Sequence, residues 1–478
     1  MKSRRRIANE AWYGLLTQAL DKIVPVAIIL YLARTLAPDQ FGVYSFLTAY
    51  LAFFQIAAEQ SLDTVTVRLL SQDASRRLPI FHAALSLKIV AALVAAVVAI
   101  VLGGPISGGL VPAELLVLAA LSLVTAMGGA YRAVFRADLN IRAVFMIALA
   151  RAAALLAAVI VAMSLWPGLH ALFAAIAAAN LIAFVAVALL VSRQFPLRLA
   201  ADRGAWRALA TGAVPLAINA LAITVSLRAG QVILMSLRGP VEVGLLGSAS
   251  RVVEAFTVLP EALMITVYPL MASLHENDSQ RLIATAGKSV RYLAMATGVP
   301  VVICAVAGRE VMELLFGQPF AEAGTVLAVL GAMALLSATG TVILNVLVAV
   351  HRETVLYRNT LVFALVNVAL CVPLITRYGY AGAAVAMVLT SAGSQAGLAL
   401  LPSTRPYVRP CLSAAAGSFV AVALAAGAGL AASASVLTAC TIAVAAYLFF
   451  LVVLGVLNRD EVRFVRSLFG AGSAEARG

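Results

Sequence analysis

A succession of long apolar runs along almost the whole chain leaves few folds open to it. About fourteen are read, at 11–33, 41–63, 80–102, 112–131, 143–165, 169–192, 209–236, 243–271, 285–307, 322–349, 354–375, 380–402, 410–431 and 434–457. Each matches or exceeds the roughly 20 residues with which an α-helix crosses the hydrocarbon core of a bilayer. Ala, Leu and Val dominate the runs without strand-like alternation, so helices are predicted rather than a barrel, whose strands are only about ten residues long. The 478 residues are 63% apolar and 12% charged, against about 45–50% and 25% in soluble domains. A soluble fold of that composition would carry large exposed apolar patches. The expected fold class is therefore all-α: a polytopic membrane protein of about 14 transmembrane helices.

The distribution of Lys and Arg tests the map, because basic residues accumulate in cytoplasmic loops. Segments on the side of the amino terminus hold 25 of them and the opposite loops four, Arg34, Arg238, Arg309 and Arg377. A missed or spurious helix would have scrambled this alternation, so an even number of spans with both termini cytoplasmic is expected. The same pattern assigns the net charge of +13 to topology, and no nucleic-acid partner is expected. The basic start followed by the run 11–33 reads as a first span, being too long for the apolar core of a signal peptide. Cys304, Cys371, Cys411 and Cys440 fall in apolar stretches without CxxC spacing, which predicts packed or lipid-facing thiols.

The segment 193–208 divides the first twelve helices into two sets of six. This gives an amino-terminal lobe (1–192), a cytoplasmic linker (193–208), a carboxy-terminal lobe (209–402), and a last part (403–478) with helices 13 and 14 and a tail. Pro38 and Gly42 recur as Pro240 and Gly244 at an offset of 202, either a trace of an internal repeat or two ordinary turn signals. Repeated halves with a ligand site between them are common among transporters. Helices 13 and 14, rich in small residues, read either as a peripheral packing pair or as a groove for a long lipid tail.

Five basic residues remain inside spans: Lys22, Lys88, Arg151, Arg228 and Arg251. An ionisable group in hydrocarbon is costly, so such residues usually face a cavity or a partner helix. Helical spacing puts Gln18, Asp21 and Lys22 on one stripe of helix 1, and Gln55, Glu59 and Asp63 on one of helix 2. Arg228 and Gln231 share a stripe of helix 7, and Ser250, Arg251, Glu254 and Glu261 one of helix 8. These are the first two helices of each half, which predicts a water-filled cavity lined by both signs of charge. Arg251 and Glu254 also read as an intrahelical ion pair. Lys88 reads as snorkelling to the cytoplasmic face, and Glu59 and Asp63 sit near the cytoplasmic end of their helix. The four His residues lack metal-ligand spacing, and no GxxxxGK[ST], GxSxG or HExxH motif is present. No metal or other cofactor is expected, nor enzymatic activity.

Four stretches resemble polysaccharide flippases of the Wzx type, members of the multidrug/oligosaccharidyl-lipid/polysaccharide (MOP) exporter superfamily: RTLAPDQFGVY from Arg34 to Tyr44, VGLLGSASRVVE from Val243 to Glu254, LLFGQPFAEA from Leu314 to Ala323, and RYGYAGA from Arg377 to Ala383. The resemblance implies two six-helix lobes that open alternately. It also implies translocation of an undecaprenyl-pyrophosphate-linked oligosaccharide across a bacterial inner membrane, serving exopolysaccharide, lipopolysaccharide or O-antigen synthesis. Lys22, beside Asp21, and Arg228 match basic positions of the related lipid II flippases in type; together with the polar stripes this gives the substrate-binding candidates Lys22, Arg228, Arg251, Arg151, Gln18 and Gln231, and the candidates for coupling to H+ or Na+ Glu59, Asp21 and Glu254. Many family members carry an Asp shortly after the basic position of helix 7, where this chain has Gln231. Partners implied are membrane lipids, the polysaccharide polymerase and glycosyltransferases. Alternative readings are a drug/cation antiporter of the same superfamily and a membrane-embedded glycan polymerase or ligase; the nearly uncharged outer loops speak against the latter.

Overall fold

The structure is a computed structural model that describes residues 2–457 apart from 57–60, 73–75, 126–128, 193, 197, 199–201 and 433–434; at 2–11, 15, 125, 276 and 277 it describes the backbone alone. Glu59 and the basic tail from Arg459 to Arg477 lie outside the described residues. The helices are α1 (Lys2–Thr35), α2 (Pro38–Gln55), α3 (Ser61–Gln72), α4 (Arg77–Ile106), α5 (Ala113–Thr125), α6 (Gly129–Ala137), α7 (Ile141–Leu165), α8 (Leu169–Val191) and α9 (Arg203–Arg238). They continue as α10 (Pro240–Ala255), α11 (Val258–Asn277), α12 (Ser279–Val306), α13 (Gly308–Phe316), α14 (Gly324–Ala349), α15 (Glu353–Leu400), α16 (Arg405–Ala431) and α17 (Val436–Val453). No strand occurs among the described residues.

Among the described residues, twelve stretches are long and apolar enough to cross a membrane, and the difference from the fourteen segments read in the sequence arises at two places. The segment 41–63 is answered by α2 and α3, neither of which meets the criterion alone. The segments 354–375 and 380–402 run together in α15, whose 48 residues would make a straight rod of about 72 Å at 1.5 Å per residue. The chain reverses instead. Gly379 is non-helical (φ 58°, ψ −138°), and a Cβ on Gly382 would stand 2.0 Å from the Leu374 carbonyl oxygen, an approach impossible along one helix. Further out, Asn359 Nδ2 donates to Ser394 Oγ at 2.8 Å. The α9–α10 turn stabilises this reversal: Arg238 donates to the carbonyls of Ile375 (3.3 Å) and Thr376 (2.7 Å), while the Glu242 carboxylate accepts the Tyr380 N–H at 2.8 Å. Each charge thus meets the helix end whose dipole it complements.

The chain divides into two compact units. The first comprises Met1–Gly247, Leu315–Pro319 and Ala364–Ala386. Here α1 packs on α7, with the rings of Tyr13 and Phe145 5.6 Å apart, and Phe81, Tyr131 and Phe184 form an aromatic core between α4, α6 and α8. Asn140 accepts the Ala143 N–H, and Asp202 those of Gly204 and Ala205, satisfying donors at the starts of α7 and α9.

The offset of 202 seen at Pro38 and Gly42 reappears in the helix bounds. Adding it to α1, α2 and α4 reproduces α9, α10 and α12 to within two residues at every end. The two Pro–Gly stretches also meet: a Cβ on Gly42 would stand 1.8 Å from the Pro240 carbonyl oxygen, and one on Gly244 3.1 Å from that of Pro38. Position i touching j while the copy of j touches the copy of i is the signature of a two-fold contact. Only glycine lets backbones cross so closely.

The second unit comprises Ser248–Leu314, Phe320–Phe363 and Met387–Gly478. Its centre is α12, flanked by α14, α16 and α17. Tyr447 of α17, fully buried, donates its hydroxyl towards the carbonyls of Met295 (3.1 Å) and Ala294 (3.4 Å), and a Cβ on Gly298 would stand 2.1 Å from that oxygen. The last two helices therefore pack directly on α12. Cys304, Cys371 and Cys411 are buried, Cys440 is half-buried, and all four are free thiols.

Candidate functional site

Pro25 interrupts the backbone bonding of α1, and the stripe expected on that helix is present as surface. Gln18, Asp21 and Lys22 are exposed side chains one to two turns beyond Gly14, which packs on Ile141 of α7. On α9, Arg228 is half-buried, whereas Gln231 is 3% exposed. Gln231 points at the crossing of the repeats: its Nε2 lies 4.0 Å from where a Cβ on Gly247 would be, and Ser45 Oγ lies 2.8 Å from the same point. Arg151 of α7 is half-buried and donates its Nε to Asn180 Oδ1 of α8 at 3.3 Å. Asn180 is not among the residues that the sequence singles out, because a lone Asn in an Ala-rich run carries no periodic signal.

In the second unit Arg251 and Glu254 form the i,i+3 pair, Nη1 to Oε2 at 3.0 Å, with side chains 25% and 36% exposed. The pair stands at a joint. The helix expected to run through 243–271 stops at Ala255 and resumes at Val258, and the Thr257 N–H (3.1 Å) and hydroxyl (2.7 Å) both donate to the Glu254 carbonyl. Pro260 has no N–H to offer the Phe256 carbonyl, which accounts for the break. Glu261 is exposed in the first turn of α11.

Two expectations are corrected. Lys88 does not snorkel: it is 1% exposed and forms an ion pair with Asp63. Nor is Asp63 at the end of its helix, because α3 continues nine residues beyond it to Gln72. Thr64, Thr66 and Arg68 make that stretch read as a loop. Its amphipathic pattern instead buries Ser61, Leu62, Val65, Thr66 and Leu70 and turns Thr64, Arg68, Ser71 and Gln72 outward. A Cβ on Gly129 of α6 would stand 2.6 Å from Asp63 Oδ2 and 3.1 Å from Lys88 Nζ, so α6 closes over the pair with bare backbone.

The site residues thus comprise cations held by neutral or acidic neighbours (Arg151 by Asn180, Arg251 by Glu254, Lys88 by Asp63), the half-buried Arg228 and buried Gln231 of α9, and an exposed polar stripe on α1. The coupling candidate Glu59 lies outside the described residues. His275 and His351, remote in sequence, have ring centroids 6.1 Å apart. Among the described residues no three His, Cys, Asp or Glu lie close enough together to hold a metal ion.

Comparison with known proteins adds family and fold. The profile of a family described as polysaccharide biosynthesis protein matches residues 31–325. A lipid II flippase MurJ in an inward closed conformation is similar in structure, with a TM-score of 0.70 at 12% identity over 92% of this chain and 98% of that one. An inward-facing multidrug resistance MATE transporter of the MOP superfamily gives 0.62 at 12% identity, covering 84% and 94%. A point mutant of the Vibrio cholerae MATE transporter VcmN gives 0.56 at 12% identity, covering 86% and 97%. A sequence search of curated proteins found no match.

Proposed function

The chain belongs to the polysaccharide biosynthesis protein family, and on that premise we propose that it is a flippase moving an undecaprenyl-pyrophosphate-linked oligosaccharide from the cytoplasmic to the outer leaflet. It is a multi-pass membrane protein with the fold of MOP-superfamily transporters. In this reading it lies in a bacterial inner membrane with both termini cytoplasmic. Residues 1–192 and 209–402 act as the two lobes, supplied by glycosyltransferases and followed by a polymerase.

The observation that carries the reading is the retention of Lys22, Arg151, Arg228 and Arg251 within apolar helices. Such charges persist in membranes where they meet substrate or a partner. Guanidinium and ammonium groups donate charge-assisted hydrogen bonds to pyrophosphate oxygens, the guanidinium in bidentate fashion. Binding and reorientation suffice for flipping, and no bond need be made or broken.

The test is reconstitution in vesicles with an undecaprenyl-pyrophosphate oligosaccharide bearing a fluorescent sugar, reading the fraction exposed to an impermeant quencher. Flipping by the wild type and its loss in Arg228→Ala support the reading. Absence of flipping, with efflux of an organic cation in its place, would assign the chain to the antiporters.

A further inference from the structure

The helix α14 is apolar along nearly its whole length, with one polar stripe. Ser337, Thr341 and Asn345 follow one another at four-residue steps, which puts them on one face, and all three are half-buried. The neighbouring face, with Ala338, Val342 and Val346, is buried in one core with Val290 and Leu293 of α12. The stripe starts midway along α14 and runs about 12 Å towards its carboxy-terminal end at 1.5 Å per residue.

Polar side chains within a membrane commonly join helices by bonding across them. Those of the stripe do not. Thr341 Oγ1 donates to the Ser337 carbonyl at 2.9 Å and Asn345 Nδ2 to the Thr341 carbonyl at 2.8 Å, both within α14. Such back-bonding satisfies a hydroxyl in apolar surroundings, but it leaves Asn345 with its Oδ1 and a second N–H to place. Beside the stripe, Gln395 of α15 is 6% exposed and donates Nε2 to the Leu336 carbonyl at 2.7 Å; a Cβ on Gly340 would lie 3.4 Å from that nitrogen. The Gln395 Oε1 is buried and has no partner among the described residues. A buried amide oxygen in that condition is costly, and packing gives no reason to keep it.

The architecture shared by the two halves does not demand these groups either. The end of α14 and the start of α15 lie 212 residues beyond the end of α6 and the start of α7. At that offset Thr341 and Asn345 stand where the first half carries Gly129 and Ala133, both buried. The same corner is therefore built in the first half without a hydroxyl or an amide at these two positions.

The four side chains are uncharged and rich in acceptors: Gln395 Oε1, Asn345 Oδ1 and the two hydroxyl oxygens, with the Ser337 O–H and an Asn345 N–H as donors. Pyrophosphate, an anion best met by cationic donors, is poorly served by such a set. Sugar hydroxyls suit it, because each can donate to one of the oxygens and accept from a neighbouring donor. Each four-residue step also advances about 6 Å, close to the length of one sugar residue in a chain. We propose that Ser337, Thr341, Asn345 and Gln395 bind the hydroxyl groups of the glycan, an inference that rests on the transport reading above. The cations named there hold the pyrophosphate, and this neutral set selects the sugars attached to it.

The experiment uses the full chain and has two arms. In detergent, the wild type is presented with an array of lipid-free, uncharged bacterial oligosaccharides. At least one should bind, and binding should weaken several-fold in Thr341→Val with Asn345→Leu and again in Gln395→Leu. The double variant should unfold at the wild-type temperature, because the bonds it removes lie within one helix. In vesicles, flipping of the fluorescent undecaprenyl-pyrophosphate oligosaccharide is competed with its unlabelled form and with undecaprenyl pyrophosphate lacking sugars. The wild type should be inhibited several-fold better by the glycosylated lipid, and the double variant equally by both. Failure of the wild type to bind any oligosaccharide, or a preference for the glycosylated lipid that survives in the double variant, overturns the proposal. A double variant that loses dependence on Na+ in place of that preference also overturns it, since the oxygens would then serve a cation. If oligosaccharide binds through these residues but the probe is not flipped, the transport reading fails while the glycan site stands. If the probe is flipped and the preference is unchanged in the double variant, the glycan site fails while the transport reading stands.

Discussion

Gly42 lies so close to Pro240 that a methyl group on it would stand 1.8 Å from the Pro240 carbonyl oxygen. Gly42→Ala therefore forces backbone movement, and a loss of about 1–3 kcal/mol is expected, as for overpacked cores. Gly244→Ala, with 3.1 Å to the Pro38 oxygen, should cost less. Thermal unfolding of the detergent-purified variants checks both the sign and the order.

A second expectation concerns Arg228. Arg228→Lys should retain partial flipping because an ammonium still offers charge, and Arg228→Ala should lose most of it because the bidentate grip on phosphate is gone. Both should accumulate to normal levels. If Arg228 serves only to neutralise a buried acid, Arg228→Ala should instead reduce abundance, since leaving a buried charge unpaired costs about 3–5 kcal/mol. Immunoblotting beside the vesicle assay separates the two.

Tyr447→Phe removes the hydroxyl that reaches the Met295 and Ala294 carbonyls. A buried hydrogen bond lost in this way costs about 1–3 kcal/mol, so a lower unfolding temperature is expected with unchanged flipping per folded molecule. A fall in flipping without a fall in stability would point instead to a direct role for α17 in handling the lipid tail.

Cysteine introduced at Ser192 should resist an impermeant thiol reagent applied outside intact cells, as the charge asymmetry demands. Labelling from outside would invert the assigned topology.

Apolar run length and charge asymmetry are enough to read an all-helical membrane protein, whereas the Pro38–Gly42 echo at Pro240–Gly244 reads equally as a repeat or as two turn signals, and that the two stretches touch is visible only in the structure. Other features are hidden for physical reasons. Run-length reading ends a span where polar residues begin, so α3, half polar and half buried, reads as a loop and Asp63 as shallower than it is. Partners 25 residues apart, such as Asp63 and Lys88, or 29 apart, such as Arg151 and Asn180, meet through packing of different helices, which spacing along one helix does not show. The joint at Phe256 and Thr257 is legible in principle through Pro260, but an apolar run masks a break that leaves its hydropathy intact.

Ser45 and Gly247 are the same position of the two repeats, brought face to face: a Cβ on Gly247 would lie 2.9 Å from that of Ser45. A residue on a two-fold axis meets its own copy, so two separate, identical chains assembled this way would have to place the same side chain on both sides. Two serines do not fit there, and two glycines would leave the spot bare. Joining the copies into one polypeptide removes that constraint, since one half can give up its side chain so that the other may keep a hydroxyl. At this point the fold draws on a freedom that no dimer of equal halves possesses, and divergence between the copies here is a requirement of the packing rather than drift.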